Sequence, residues 1–137
     1  MGDFQYKTRK DLPPEAQKVS CFPDITIHER TADDDILILA CDGLWDVYSS
    51  SEVVDLAREV MLGGETSPMM LAEELIDSAL DKGSKDNISC IVAHLPGVVL
   101  GNPSLGGVIR RRADREKLQN DLLEADRKRR EERAAGK

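Results

Sequence analysis

The sequence of 137 residues is short of several features that particular functions require. It has no run of about 18 apolar residues, so we expect no membrane-spanning helix. It has two histidines, His28 and His94, and three cysteines without a Cys-x-x-Cys pair, which disfavours a zinc site. No Ser-His-Asp or Cys-His arrangement offers a protein nucleophile. We interpret His94 as a surface or hydrogen-bonded core histidine.

The three cysteines, Cys21, Cys41 and Cys90, are odd in number, and two of them lie inside apolar runs. We interpret them as buried free thiols in a reducing compartment. Because Cys41 precedes Asp42, we expect the carboxylate to raise the pKa of the thiol and slow its oxidation. The N-terminus has no apolar segment of signal-peptide type, so we expect a cytoplasmic protein, with a nuclear location left open by the basic tail.

Charge divides the chain into an acidic body and a basic tail. The net charge is −7, with +4 in residues 108–137 and −11 in the remainder. An acidic body does not suit nucleic acid, but it suits a protein that gathers cations. The clusters RRR at 110–112 and RKRR at 127–130 lack the aromatic residues that base stacking needs. We therefore favour a solvated helix with alternating charge over a nuclear-import or anionic-surface segment, and expect no nucleic-acid partner.

Four strands are predicted from the apolar pattern. Lys18–Phe22 is a short strand, and Asp24–Arg30 alternates apolar and polar residues as a half-exposed strand near a sheet edge does. Ile36–Ala40 is apolar at every position, so both of its faces should be covered. Asn87–Leu95 is the last strand and ends at Pro96.

Two helices are predicted between the last two strands. Ser49 and Glu52 form a capping box for the first, which ends at Gly63. Its apolar positions are Val53, Ala57, Val60 and Met61. The second begins at Ser67-Pro68 and stops at Gly83. Its apolar positions are Met69, Ala72, Ile76, Ala79 and Leu80.

The C-terminal third differs in composition from the rest. Residues 97–107 are rich in glycine and proline, which predicts a linker. Residues 108–137 are predicted to form one long charged helix, in which Glu124 with Lys128 and Asp126 with Arg130 are spaced for ion pairs. The predicted division is therefore a folded part at 1–96, a linker at 97–107 and a charged helical tail at 108–137.

Two carboxylates stand at strand ends that an antiparallel sheet would bring together. Asp42 follows Ile36–Ala40, and Asp86 precedes the last strand. Neighbouring strands lie about 4.8 Å apart, so the two carboxylates would face each other across them, with Asp46 able to reach in. Clustered carboxylates repel unless a proton or cation neutralises them, and oxygen ligands select Mg²⁺, Mn²⁺ or Ca²⁺. Gly43 would let the backbone come close to an ion or turn sharply. Ordinary turns at Asp42-Gly43 and Asp86-Asn87 remain an alternative interpretation.

Three segments carry a resemblance to a known family. ACDGLWDV at 40–47 and KGSKDNIS at 82–89 are similar to two signature motifs of the metal-dependent Ser/Thr protein phosphatases of type 2C. GDFQYK at 2–7 resembles a third family segment. The resemblance covers residues 1 to 96 and implies an α+β fold: a partial β-sandwich of antiparallel sheets with flanking helices, here followed by the charged helix.

The resemblance also implies a function. The family hydrolyses phosphoserine and phosphothreonine in phosphoproteins with a water activated by two or more Mg²⁺ or Mn²⁺ ions. Asp42 and Asp86 match family metal ligands, Asp46 matches the acid of a weaker further metal position, and Gly43 and Asn87 match supporting positions. The family's upstream motifs are not among these residues. We therefore expect the C-terminal part of a catalytic domain, little activity from this chain alone, and either a partner carrying the missing half or self-association.

Two further functions remain open from the sequence. A truncated, non-catalytic module could keep this part of the fold and bind partners through its helices and tail. A small acidic cation-binding domain unrelated to phosphatases could use the same carboxylates. Restoration of activity by the missing half would favour the phosphatase over the non-catalytic module. Ion binding without any partner chain is what the cation-binding domain predicts.

Overall fold

The computed structural model describes residues 3–135, with side chains up to residue 134. Gly2, the first residue of the GDFQYK segment, and the last two residues of the predicted tail lie outside the described residues. The chain divides into two compact units, Met1–Arg30 and Thr31–Lys137. Among the described residues, none of the helices combines the length and the apolar composition that crossing a bilayer requires.

The first unit contains two single-turn 3-10 helices, Phe4–Tyr6 and Pro14–Ala16, and no strand within residues 3–30. The predicted strands Lys18–Phe22 and Asp24–Arg30 are therefore wrong. Ile25 and Ile27 are 78% and 93% exposed. A strand needs a paired neighbour to satisfy its backbone groups, and alternation along the sequence does not supply one.

The second unit is α+β, with two strands, four α-helices and one 3-10 helix, Pro103–Leu105, among its described residues. β1 (Ile36–Ala40) pairs antiparallel with β2 (Cys90–His94), in a register that joins Ile36 to His94 and Ala40 to Cys90. The helices are α1 (Asp42–Trp45), α2 (Ser50–Leu62), α3 (Pro68–Asp81) and α4 (Gly107–Ala135). The core is a cluster of buried apolar side chains contributed chiefly by α2 and α3.

The two-stranded sheet is covered on one face only. Leu37 and Leu39 on β1 are 51% and 50% exposed, and Ile91 on β2 is 65% exposed. The expectation that both faces of Ile36–Ala40 are covered is wrong for these residues. Because apolar side chains point to both sides of β1, the sequence predicted a second covering layer, which the described residues of the second unit do not contribute. His94, at the far end of the ladder, has a buried Nε2 atom without a hydrogen-bond partner, contrary to the expected surface or satisfied histidine.

α2 is confirmed in its start, end and buried face. The Ser49 hydroxyl accepts from the Glu52 backbone N–H, and the Glu52 carboxylate accepts from the Ser49 N–H, so the capping box is complete. Gly63 is the C-cap. The buried residues are the four predicted ones, Val53, Ala57, Val60 and Met61.

α3 is capped as predicted by Ser67, with Pro68 in its first turn, but its buried face is only partly the predicted one. The buried positions are Leu71, Glu74, Leu75 and Ala79. Ala79 is thus confirmed, whereas the predicted Met69 and Leu80 are 66% and 53% exposed. Apolar residues surround most of this helix, so the sequence offers more than one apolar face. Packing against β2 and α2 selects the one that contains Leu71 and Leu75.

The segment at 97–107, predicted as a linker, packs on the end of α2. Gly101 N–H donates to the Met61 carbonyl at 3.0 Å, and Gly107 N–H donates to the Gly63 carbonyl at 3.1 Å. The Glu65 carboxylate then joins two helix starts, because Oε1 accepts from the Ser67 N–H and Oε2 from the Val108 N–H. A carboxylate at a helix N-terminus is favourable, so Glu65 fixes the start of α4 beside α3.

Glu74 anchors α4 to α3. Its side chain is fully buried, and its carboxylate contacts three arginines of α4: Arg115 at 2.7 Å, Arg111 at 2.8 Å and Arg112 at 3.9 Å. Burial alone would lower the pKa of Arg115, but hydrogen bonds to Asp81 and Glu74 raise it above its usual value. The interpretation of the tail as a wholly solvated helix is therefore wrong for this part of α4. In the outer part, Glu124 pairs with Lys128 as predicted, and Asp126 pairs with Arg129 rather than Arg130.

Candidate metal centre

The candidate centre lies where β1 ends and β2 begins. Beyond the Ala40–Cys90 pair, Cys41 N–H donates to the Ser89 carbonyl at 3.2 Å, so the two segments of backbone remain hydrogen-bonded past the ends of the strands. Asp42 is the first residue of α1, and Asp86 lies in the loop that leads into β2. The antiparallel register therefore puts both carboxylate-bearing segments at the same end of the sheet.

Gly43 makes the closest approach between these segments. It is buried, and a Cβ atom at this position would collide with the carbonyl oxygen of Asn87. The Ser84 hydroxyl donates to the Gly43 carbonyl at 2.7 Å, on the same stretch of backbone. The predicted role of Gly43 as a point of close approach thus has a physical basis here, although the approaching group is protein backbone.

Lys82 holds the start of the Asp86 loop against α2. Its Nζ lies 2.8 Å from the Glu52 carboxylate and 3.9 Å from the centre of the Tyr48 ring. The hydrogen bond from Lys82, together with those from Ser49, lowers the pKa of Glu52 to about 2. Within the loop, the Asp86 carboxylate accepts from the Asn87 N–H at 2.7 Å.

The three candidate carboxylates are all exposed. Asp46 and Asp86 line a shallow depression of about 560 Å³, and Asp42 is not among its lining residues. Within the described residues of the second unit, no lysine, arginine or histidine lies within 4.0 Å of any of the three carboxylates. Searched over the same residues, the chain has no group of three His, Cys, Asp or Glu side chains that could hold a metal ion.

The donor set suits a hard cation, but with fewer protein ligands than a closed site has. Exposed carboxylate oxygens without a protein cation are the ligands that Mg²⁺ and Mn²⁺ prefer. Mg²⁺ commonly binds through one or two carboxylates, with waters or phosphate oxygens in its remaining positions. The chemistry of these exposed oxygens is thus that of an open cation site, and Asp42 and Asp86 remain its predicted donors.

The cysteines beside the centre differ from the sequence-based expectation. All three are free, but Cys21 is exposed and the other two are only partly buried. Hydrogen bonds from the Ser89 side chain and backbone N–H lower the pKa of Cys41, and they outweigh the opposing charge of Asp42. The expected rise in this pKa is therefore wrong. Burial raises the pKa of Cys90.

The sequence reasoning missed two residues that position the centre. Ser84 ties the loop to Gly43, and Lys82 ties it to Glu52 and Tyr48. Both lie inside the KGSKDNIS segment, as its first and third residues. The serine in this segment was therefore the available signal for a residue that positions the loop. The indole of Trp45 donates to the Ala40 carbonyl at 2.9 Å and packs on the core.

Comparison with known proteins gives a consistent set of relatives. The family model described as protein phosphatase 2C matches residues 1–88. Protein phosphatase 2C homolog 2 of Schizosaccharomyces pombe is 43% identical over 104 residues, which is 71% of this chain and 28% of the relative. The probable protein phosphatase 1N of Homo sapiens is 41% identical over 98 residues, which is 71% of this chain and 22% of the relative. The chain thus spans only about a quarter of the length of these relatives.

Proposed function

The chain belongs to the protein phosphatase 2C family, and from this membership we propose that it supplies metal-binding carboxylates for the hydrolysis of phosphoserine and phosphothreonine in proteins. Asp42 and Asp86 would hold Mg²⁺ or Mn²⁺, and Asp46 would serve a further, weaker cation position. The observation that carries the proposal is the antiparallel pairing that joins the two family segments at one end of the sheet. Family membership also removes the unrelated acidic cation-binding domain from consideration.

Each residue of the centre has a distinct proposed task. The carboxylates of Asp42 and Asp86 provide negative charge and oxygen ligands on an exposed surface that a phosphoprotein can reach. Gly43, packed on the Asn87 carbonyl, keeps the two ligand-bearing segments adjacent. When bound, the divalent ions supply activation of a water molecule and neutralisation of phosphate charge. Lys82 and Ser84 restrict the movement of the Asp86 loop through their contacts with Glu52 and Gly43.

We propose that the remaining ligands, and the remaining strands of a β-sandwich, come from outside these 137 residues. Support comes from the absence of a three-ligand group within residues 3–135 and from the exposed apolar face of the sheet at Leu37, Leu39 and Ile91. Further strands, on the same polypeptide or on a partner chain, would cover that face. We accordingly expect little or no phosphatase activity from the 137-residue chain alone.

A non-catalytic interaction module is the second candidate. The observation that favours it is the same shortage of ligands, since the three candidate carboxylates are exposed but form no metal-binding group among the described residues. Under this alternative the segments similar to the family motifs would hold the loop and α1 together without binding an ion. Asp42 and Asp86 would then be replaceable without loss of function.

A chimaera tests the proposal against this alternative. The matched 104-residue segment of the Schizosaccharomyces pombe relative is replaced by this chain, and hydrolysis of an aryl phosphate is measured with Mn²⁺ present. We expect an active chimaera that loses activity with Asp42→Asn or Asp86→Asn. The matched control is Asp55→Asn, an exposed aspartate on α2, which should leave activity unchanged. An inactive but folded chimaera, or one that tolerates both substitutions, would favour the non-catalytic module.

A further inference from the structure

The outer part of α4 extends past the elements that hold its first turns. Val108 is buried in the core, and Arg111 and Arg115 contact the buried carboxylate of Glu74. Residues 120–134, by contrast, have ion pairs only within α4 among the described residues, and each of these is 3.5 Å or longer. At 1.5 Å per residue, this overhang is about 22 Å long.

One stripe of α4 runs from the covered part into the overhang. Residues spaced alternately by three and four positions share one side of a helix, as in a heptad repeat. In α4 this spacing joins Val108, Arg111, Arg115, Leu118, Leu122 and Ala125, which we call the α4 stripe. Its inner half packs against α2 and α3, whereas Leu118 and Leu122 are 61% and 62% exposed. The overhang therefore continues an existing helix interface without anything covering it among the described residues.

The distribution of charge along the overhang favours a second copy of the same helix as the partner of the exposed stripe. Residues 120–126 carry a net charge of −3, and residues 127–133 carry a net charge of +3. Two copies of this segment side by side in parallel would align acid with acid and base with base. Two copies in antiparallel orientation would align each acidic half with a basic half, which is attractive in both directions across a twofold axis.

The residues that flank the stripe give the same orientation. In a parallel pair of heptad helices, Asp121 would face Asp126 of the second copy, and Lys128 would face Arg133, so both contacts repel. In an antiparallel pair, Asp121 faces Lys128 of the second copy, and the symmetry repeats this contact. We propose that the outer α4 stripe, Leu118, Leu122 and Ala125, is a contact surface for a second copy of this chain, with the two α4 helices antiparallel.

Sedimentation of the full chain tests the proposal directly. Over roughly 5 to 200 µM protein we expect a concentration-dependent dimer, with weaker dimerisation at high salt because the flanking contacts are ionic. The double variant Leu118→Gln with Leu122→Gln should weaken the dimer by about tenfold or more. Leu123→Gln is the matched control, since Leu123 is equally exposed, at 63%, but lies beside the stripe. Its dimer should be unchanged.

Three results would overturn this assignment. The first is a monomer at every concentration. The second is a dimer that is insensitive to the Leu118 and Leu122 substitutions, or that is lost instead when the exposed sheet residues Leu37 and Leu39 are changed to glutamine. The third concerns orientation: Asp121→Lys and Lys128→Asp should each weaken the dimer, and the two together should restore it. Failure of the combined variant to restore the dimer would contradict the antiparallel arrangement.

Discussion

Carboxylates in two regions of the second unit face different surroundings. Glu74 on α3 is fully buried and contacts three arginines of α4. Asp42, Asp46 and Asp86 are exposed at the end of the sheet, and no basic side chain in the described part of the second unit lies within ion-pair distance of them. The carboxylate of Glu74 is neutralised by arginine side chains, whereas the three aspartate carboxylates are exposed to solvent.

This difference separates a structural role from a binding role. A buried carboxylate is costly without a cation, so Glu74 requires the arginines and thereby fixes the position of α4. An exposed carboxylate is solvated by water and remains accessible to a soluble divalent ion. Changing each region should therefore affect different properties, namely the free energy of unfolding in the first and ion binding in the second.

Removal of the Glu74 carboxylate should have the largest effect on stability. Glu74→Ala leaves Arg111, Arg112 and Arg115 without their shared partner. A broken buried ion pair usually costs about 3–5 kcal/mol. Because these arginines are 35–38% exposed, we expect the free energy of unfolding to fall by somewhat less, roughly 2–4 kcal/mol. Urea unfolding measures this loss.

The matched control for Glu74 is its neighbour Glu73. Among the described residues, Glu73 forms an ion pair with one basic side chain, that of Arg112, at 3.2 Å, and its own side chain is 48% exposed. Glu73→Ala should therefore cost less than about 1 kcal/mol, as exposed ion pairs do. Equal losses for the two variants would show that burial of the carboxylate does not distinguish them.

Forcing apart the segments that contain Gly43 and Asn87 should have an intermediate effect on the free energy of unfolding. Gly43→Ala puts a Cβ atom into the carbonyl oxygen of Asn87, and backbone on both sides limits relaxation. We expect a loss of about 1–3 kcal/mol, the usual cost of overpacking, together with weaker Mn²⁺ binding. The comparison variant is Gly83→Ala, where no atom lies within 4 Å of the added Cβ but φ is +95°. Its strain is conformational, so Mn²⁺ binding should fall less than in Gly43→Ala.

Low pH should have the smallest effect on the free energy of unfolding, through protonation of Glu52, whose contact with Lys82 holds the Asp86 loop. Lys82 and Ser49 hold the pKa of Glu52 at about 2, below its unfolded value of about 4.3. The contribution of Glu52 to stability is therefore present above that unfolded value and is lost as the pH falls towards 2. Urea unfolding of wild type and Glu52→Gln should differ at neutral pH and converge through this window.

The control for this pH dependence is Glu132→Gln, which makes the same charge change at an exposed site on α4. Its difference from wild type should be small and nearly independent of pH. If the Glu52→Gln difference also stays constant down to the lowest pH, the low pKa of Glu52 has no consequence for folding.

Features that depend on local sequence were predictable. The capping box of α2 and its buried face follow from the spacing of Ser49, Glu52 and four apolar residues over a single helix. The antiparallel pairing of Ile36–Ala40 with the last strand was a condition of the predicted site rather than a deduction from local sequence, and the structure contains it. The family resemblance of residues 40–47 and 82–89 was likewise readable, because the motifs are contiguous.

Features that depend on distant partners were not predictable in the same way. Nothing local distinguishes Glu74 from the exposed Glu73, since its burial results from arginines 37 to 41 positions later in the chain. The buried face of α3 depends on β2, and the strands predicted at 18–30 have no ladder partner within the described residues. The reversed pKa shift of Cys41 arises from Ser89, a residue brought close only by strand pairing.

Binding of Mn²⁺ to the 137-residue chain, followed by the electron paramagnetic resonance of the free ion, tests the central claim most directly. We predict that wild type binds Mn²⁺ and that Asp42→Asn and Asp86→Asn each weaken binding by about tenfold or more. Asp55→Asn should bind as wild type does. No binding by the folded wild-type chain, or equal binding by all four proteins, would contradict the claim that Asp42 and Asp86 form one cation site.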